Sequence, residues 1–149
     1  MFNPDSEQYV VFKIEGEEYG IPIESVHQIL PVPDNVPVSD YYSAVHGMMK
    51  IAGKIMPVFD VHFAFGFDEP FPDPRQRLIV IREGRLTVAL LVDEVTEVLK
   101  TGQEQPEVPS GVRRMRKGGF FTGMYRTPER IVLLFDLRDM LEEEGLELN

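Results

Sequence analysis

The chain contains one pattern twice, and that repeat constrains its fold more than any other feature. Displaced by 69 residues, Gly20-Ile21-Pro22-Ile23-Glu24-Ser25-Val26-His27-Gln28-Ile29-Leu30 falls over Ala89-Leu90-Leu91-Val92-Asp93-Glu94-Val95-Thr96-Glu97-Val98-Leu99. Apolar residues coincide at 21/90, 23/92, 26/95, 29/98 and 30/99, and an acid stands at 24/93 in both copies. Tyr9–Lys13 falls over Leu78–Arg82 at the same displacement. Displaced by 76, Gly47–Phe63 falls over Gly123–Asp139, with Gly47/Gly123, Met48/Met124, Ile55/Ile131, Phe59/Phe135 and Asp60/Asp136 identical. Lys50/Arg126 and Lys54/Arg130 keep their charge. Residues 8–63 and 77–139 are therefore two versions of one supersecondary unit. A unit this small cannot bury its apolar face alone, so the copies must stack.

The local signals favour strands. Gly and Pro number 12 each, and the segments between them are short and rich in Val, Ile and Phe,. Strands are expected at Tyr9–Ile14, Glu18–Pro22, Val45–Ile51, Lys54–Phe59, Leu78–Arg82, Leu86–Val92, Phe121–Tyr125 and Arg130–Phe135. Turns are expected at Glu15-Gly16-Glu17, Ala52-Gly53 and Glu83-Gly84-Arg85. Apolar spacing near the helical period predicts short helices over Ile23–Leu30, Asp93–Lys100 and Leu137–Glu144. Short antiparallel strands avoid exposed edges by curling, so the repeat predicts a mainly β protein of two small β-barrels packed side by side with a groove between them. Strands are free to cross between copies. The termini, 1–7 and 142–149, read as flexible flanks of a single domain over 8–141.

Composition removes several functions. The 149 residues include no Cys, which excludes disulfide frameworks, thiolate metal sites and cysteine nucleophiles,. A net charge of −10 disfavours broad contact with nucleic acid or anionic lipid,. The longest apolar runs, Val88–Val92 and Ile131–Phe135, are far short of the ~20 residues of a membrane span,. The start of the chain is polar without a basic region, and a soluble cytoplasmic protein is expected, with no membrane insertion.

Chemical motifs are sparse. Ser25 and His27 are two apart, a spacing that separates side chains on a helix, and no Gly-x-Ser-x-Gly elbow is present,. Asp60-Val61-His62 with His46 offers metal-ligand types, but Asp60 recurs as Asp136, which is better explained as a helix N-cap in each copy. No catalytic residue, metal site or cofactor is expected. The run Arg113-Arg114-Met115-Arg116-Lys117, followed by Gly118-Gly119 with Phe120 and Phe121 nearby, is the best anion site, and supports an alternative as a nucleotide or single-strand nucleic-acid binder,. A solvated loop is the competing reading. Phe63, Phe65, Phe67 and Phe71 read as core filling or, beside a Pro-rich loop, as a contact patch. The last candidate surface is the pair of equivalent short helices carrying Val26 and Ile29, and Val95 and Val98. Both are placed to line the groove, where a partner helix can lie.

These residues resemble the CheW family of chemotaxis coupling proteins. Four stretches carry the resemblance, in order: Glu18-Tyr19-Gly20-Ile21; Gly47 to Gly53-Lys54-Ile55-Met56-Pro57-Val58-Phe59-Asp60; Leu90 to Leu99; and Gly123 through Asp136-Leu137. The resemblance implies two SH3-like five-stranded β-barrel subdomains and no catalysis. It implies an adaptor between the cytoplasmic helical hairpin of chemoreceptors, lying in the groove, and the regulatory domain of a CheA-type histidine kinase. Val26, Ile29, Val95 and Val98 match the family's receptor-side positions. Met49, Lys50, Ile51, Ala52, Gly53 and Lys54 match a hairpin implicated in coupling. Here the chain departs from the pattern. The hairpin reads Lys50-Ile51-Ala52-Gly53 where the family usually reads Asn-Leu-Arg-Gly, and Gln28 stands where the family usually has Glu. The changes leave room for a divergent adaptor serving another pathway.

Overall fold

A computed structural model describes residues 8–37, 41–101 and 121–148. Ten strands form two five-stranded sheets. In chain order they are β1 (Gln8–Ile14), β2 (Glu17–Pro22), β3 (Val26–Pro31), β4 (Val45–Ile51), β5 (Lys54–Asp60), β6 (Arg77–Glu83), β7 (Leu86–Val92), β8 (Glu94–Lys100), β9 (Phe121–Arg126) and β10 (Ile131–Phe135). Helix α1 (Val61–Ala64) follows β5, and α2 (Leu137–Glu143) follows β10. The first sheet has the order β8-β1-β2-β10-β9 and the second β3-β6-β7-β5-β4.

Neither sheet coincides with one sequence repeat. The first takes β1 and β2 from the first copy and β8 to β10 from the second; the other takes the converse. The chain crosses between sheets through a 3-10 turn at Ile23–Ser25 and again at Asp93. When each strand is replaced by its repeat counterpart, one sheet order becomes the other. The registers agree as well. The parallel pairing Leu134↔Gly20 in the first sheet matches Val58↔Ala89 in the second.

The inner strands of each sheet are buried on both faces, which explains apolar runs such as Val88–Val92,. One face of each contributes to a shared core that includes Phe12, Tyr19 and Phe135 from the first sheet and Phe59, Ile79, Ile81 and Leu90 from the second. The other faces hold separate clusters, Met56, Val58, Leu78, Val80 and Ala89 in the second sheet and Val11, Val132 and Leu134 in the first. Each sheet curls around its own small cluster, as a small barrel does. Phe65, just after α1, reaches across the shared core to Tyr19, Phe121 and Phe135, with ring centroids 4.6, 5.2 and 5.3 Å away. Burying aromatics of this size dominates core energetics.

Two expectations require correction. The segments read as helices over Ile23–Leu30 and Asp93–Lys100 are strands β3 and β8, apart from the turn at Ile23–Ser25. Their spacing mimics a helix because each carries a bulge. Val26 pairs with Ile81 while Gln28 pairs with Val80, leaving His27 as the extra residue. Val95 pairs with Phe12 while Glu97 pairs with Val11, leaving Thr96. The extra residue moves side chains i and i+3 onto one face, the separation otherwise diagnostic of a helix. The second correction concerns the tail. Residues 142–148 do not form a loose end: Leu148 is buried, its carbonyl accepts the Arg85 N–H at 2.9 Å, and Leu146 N–H donates to Leu141 at 3.1 Å.

Candidate functional site

The four apolar candidates lie on the bulged edge strands. Val26 and Val95 pack against the shared core, half-buried. Ile29 pairs with Ile79 and Val98 with Val10, so both face the same side as Val26 and Val95. Their side chains reach beyond the covered area, with exposures of 40% and 53%. The expectation of an open groove between the barrels is revised accordingly. The chain's own core fills the space between the sheets, and the two equivalent pairs sit at its rim. Exposure follows the repeat from Val26 to Pro31 and from Val95 to Lys100, position for position. Ile55 and Ile131, also equivalent in the repeat, are exposed as well, at 70% and 49%.

The hairpin between β4 and β5 alternates as a half-buried ribbon. Met49 and Ile51 point into the second sheet's cluster, while Lys50, Ala52, Gly53 and Lys54 are exposed. Ala52 and Gly53 form the two-residue turn, with φ of +51° and +82°. A left-handed conformation suits Gly and strains Ala. Gln28 and Ala52, the two positions that depart from the family pattern, line one small pocket of about 80 Å³, with Lys54, Thr87 and Arg82 in its wall. In the other half the corresponding place is closed by an ion cluster. The Arg130 guanidinium donates to both oxygens of Glu18, at 3.0 and 2.7 Å, and also pairs with Glu97. Hydrogen bonding to Glu18 is the leading cause that raises the Arg130 pKa.

The residues considered as metal ligands form a buried charge network. Asp60 and Asp136 cap α1 and α2, as expected, accepting from the His62 N–H at 2.8 Å and the Asp139 N–H at 2.9 Å. Asp60, fully buried, lies 3.0 Å from His46 Nε2. The buried His62 imidazole stands between two acids, 3.5 Å from Asp60 Oδ1 and 3.1 Å from Asp93 Oδ1. Burial opposes its charge, but Asp60 and Asp93 prevail and push the His62 pKa up to about 9,. The same contacts with His46 and His62 overcome burial to hold the Asp60 carboxyl below its ordinary value. Glu15, His62 and Asp93 bring donor atoms within 4.8 Å of one another. With His62 placed between two acids, the cluster reads as a structural pin. It joins α1 to the crossover at Asp93, which also accepts the Glu15 N–H at 2.8 Å. Asp60, His62 and His46 are recognisable in the sequence; Asp93 and Glu15 are not, because their approach depends on the chain crossing between sheets.

The remaining candidates fall apart or lie elsewhere. Arg113–Lys117, Gly118, Gly119 and Phe120 are outside the described residues. Phe121 is buried in the shared core and is not free to stack on a base. Phe65 is buried, Phe63 and Phe67 pack partly against the same core, and Phe71 is 90% exposed. Ser25 donates to Glu83 at 3.3 Å. No helix among the described residues is long and apolar enough to cross a membrane.

Known proteins share this architecture and sequence. A chemotaxis protein CheW from Bacillus subtilis is 28% identical over 142 residues, covering 93% of this chain and 89% of that protein. A chemotaxis protein CheW from Klebsiella aerogenes is 25% identical over 142 residues, covering 95% and 86%. The crystal structure of the scaffolding protein TtCheW from Thermoanaerobacter tengcongensis matches with a TM-score of 0.81 at 25% identity, covering 95% of this chain and 97% of that one. The family described as the CheW-like domain matches residues 8–145, nearly the whole chain, and the chain belongs to that family.

Proposed function

We propose that this chain is a non-enzymatic adaptor of chemotaxis-type signalling, coupling the cytoplasmic helical hairpin of a chemoreceptor to the regulatory domain of a CheA-type histidine kinase. The observation that carries the reading is the pair of exposed apolar positions, Ile29 and Val98, at equivalent places on β3 and β8 of a CheW-like domain. The buried Asp60 and His62 face each other and the partly exposed Asp93 inside the fold. In this reading Val26, Ile29, Val95 and Val98 meet the receptor, and the Met49–Lys54 hairpin meets the kinase side. Proteins carrying the CheW name act in chemotaxis, and TtCheW is named a scaffolding protein, which supports the same role here.

Val98→Asp tests the receptor side. Val98 is more than half exposed, so the variant keeps its fold, checked by circular dichroism. A charge forced into a desolvated contact costs about 2–5 kcal/mol of binding. Calorimetric titration with a receptor hairpin fragment is expected to show that loss. Unchanged affinity in the folded variant would remove the assignment of this surface.

A further inference from the structure

The two halves share one register, so their differences can be compared side chain by side chain. In the first sheet, Glu97 on β8 stands opposite Val11, and Glu18 on β2 stands opposite Val132. Arg130 links both carboxylates at the end of that sheet's own cluster. In the second sheet, Gln28 stands opposite Val80, the counterpart of Val11. The β5–β7 ladder keeps the same parallel register, so Thr87 holds the place of Glu18 and Lys54 that of Arg130. The cation has been kept, and both of its acids have been replaced by neutral groups. What remains is the pocket of about 80 Å³ between β3, the hairpin and β7, with Lys54 and Arg82 in its wall and His27 beside them. Among the described residues neither Lys54 nor Arg82 has a carboxylate within ion-pair distance. The floor is apolar, formed by Ile51, Met56 and Val80, which strengthens an ion pair made above it,.

We propose that this pocket binds a carboxylate side chain presented by a protein partner, an Asp or Glu that takes the place Glu18 and Glu97 hold in the other half. The pocket's volume admits one carboxylate and its adjoining methylenes, and no carboxylate among the described residues answers its charge. This deepens the adaptor reading and rests on it only for which partner supplies the acid.

The probe is a short blocked peptide carrying two glutamates, titrated at low salt into isotopically labelled protein and followed by amide chemical shifts. The same peptide with two glutamines is the control. The glutamate peptide is expected to shift the amides of Gln28, Ala52, Lys54 and Thr87, and the glutamine peptide is not. Lys54→Ala should weaken the glutamate peptide about two- to fivefold, the range of one exposed ion pair, and Lys54→Arg should restore it. Thr87→Glu rebuilds the carboxylate of the other half inside the pocket and should abolish peptide binding in a protein that melts no lower. Absent shifts, equal shifts from both peptides, or full binding by Thr87→Glu would each overturn the proposal. Binding of the kinase regulatory domain is measured on the same variants. Peptide binding at the pocket with kinase binding untouched by Thr87→Glu would keep the carboxylate site and refute the hairpin as the kinase contact.

Discussion

Replacing His62 with Gln removes a buried charge that lies between two acids. The folded protein holds the imidazole pKa at about 9, against 6.5 for the free side chain. Each pKa unit corresponds to about 1.4 kcal/mol, and part of the benefit is shared with a partly exposed Asp93, so the protonated form stabilises the fold by about 2–3 kcal/mol. Because the folded value is the higher one, this contribution is fully present below pH 6.5 and is lost as the pH rises through about 9. Asp60 has the opposite sign: its folded value is depressed, so its contribution holds above the ordinary carboxylate range and is lost as the pH falls into acid. Urea unfolding of the native protein, followed by circular dichroism across pH, should show stability declining between about pH 6.5 and about pH 9. His62→Gln should be less stable at neutral pH by about 2–4 kcal/mol, because the buried Asp60 keeps the backbone N–H of residue 62 and His46 but loses the neighbouring imidazolium,. The variant should also lose the alkaline slope. A flat native profile over that interval, or an unchanged slope in the variant, would refute the charged pin.

Three further outcomes follow from single contacts. Ala52→Gly relieves a left-handed Ala at φ +51° and should raise stability by about 0.5–1 kcal/mol in urea unfolding, with no change in the slope against denaturant,. Gly84→Ala would set a Cβ 2.1 Å from the Leu148 carbonyl oxygen at a backbone φ of +61°, so it should release the tail and raise hydrogen exchange at the Arg85 amide. Phe65→Ala removes a buried ring packed on Tyr19, Phe121 and Phe135 and should cost about 3–5 kcal/mol in thermal or urea unfolding, the range for a buried aromatic,.

Much of this organisation is legible in the residues. The duplication is visible as matched apolar positions, and it reappears as two sheets with one topology and one register. Asp60 and Asp136 read as N-caps because the same acid recurs before each short helix, and both side chains accept the expected backbone N–H. The failures have local causes. His27 and Thr96 are inserted into otherwise alternating strands, and a one-residue bulge leaves no clear trace in composition. Asp93 and Glu15 meet His62 only because β7 and β8 lie in different sheets, and neither residue's neighbours in sequence signal that approach. The cluster of Arg130, Glu18 and Glu97 had a signal, the retained charge at positions 54 and 130. Its partners become visible only when positions 28/97 and 18/87 are compared across the repeat. The groove was inferred from packing two closed units. The real units exchange strands and join their facing surfaces in one core, with Val26 and Val95 packed against its edge.

The proposed role, joining two other proteins without catalysis, is read out by sedimentation of purified components with kinase output measured on the same samples. A ternary assembly of receptor fragment, this protein and kinase, with output raised only when all three are present and lost with the Ile29→Asp, Val98→Asp double variant, is the predicted result. Equal kinase output with and without this protein, alongside independent sedimentation of the three components, would contradict it.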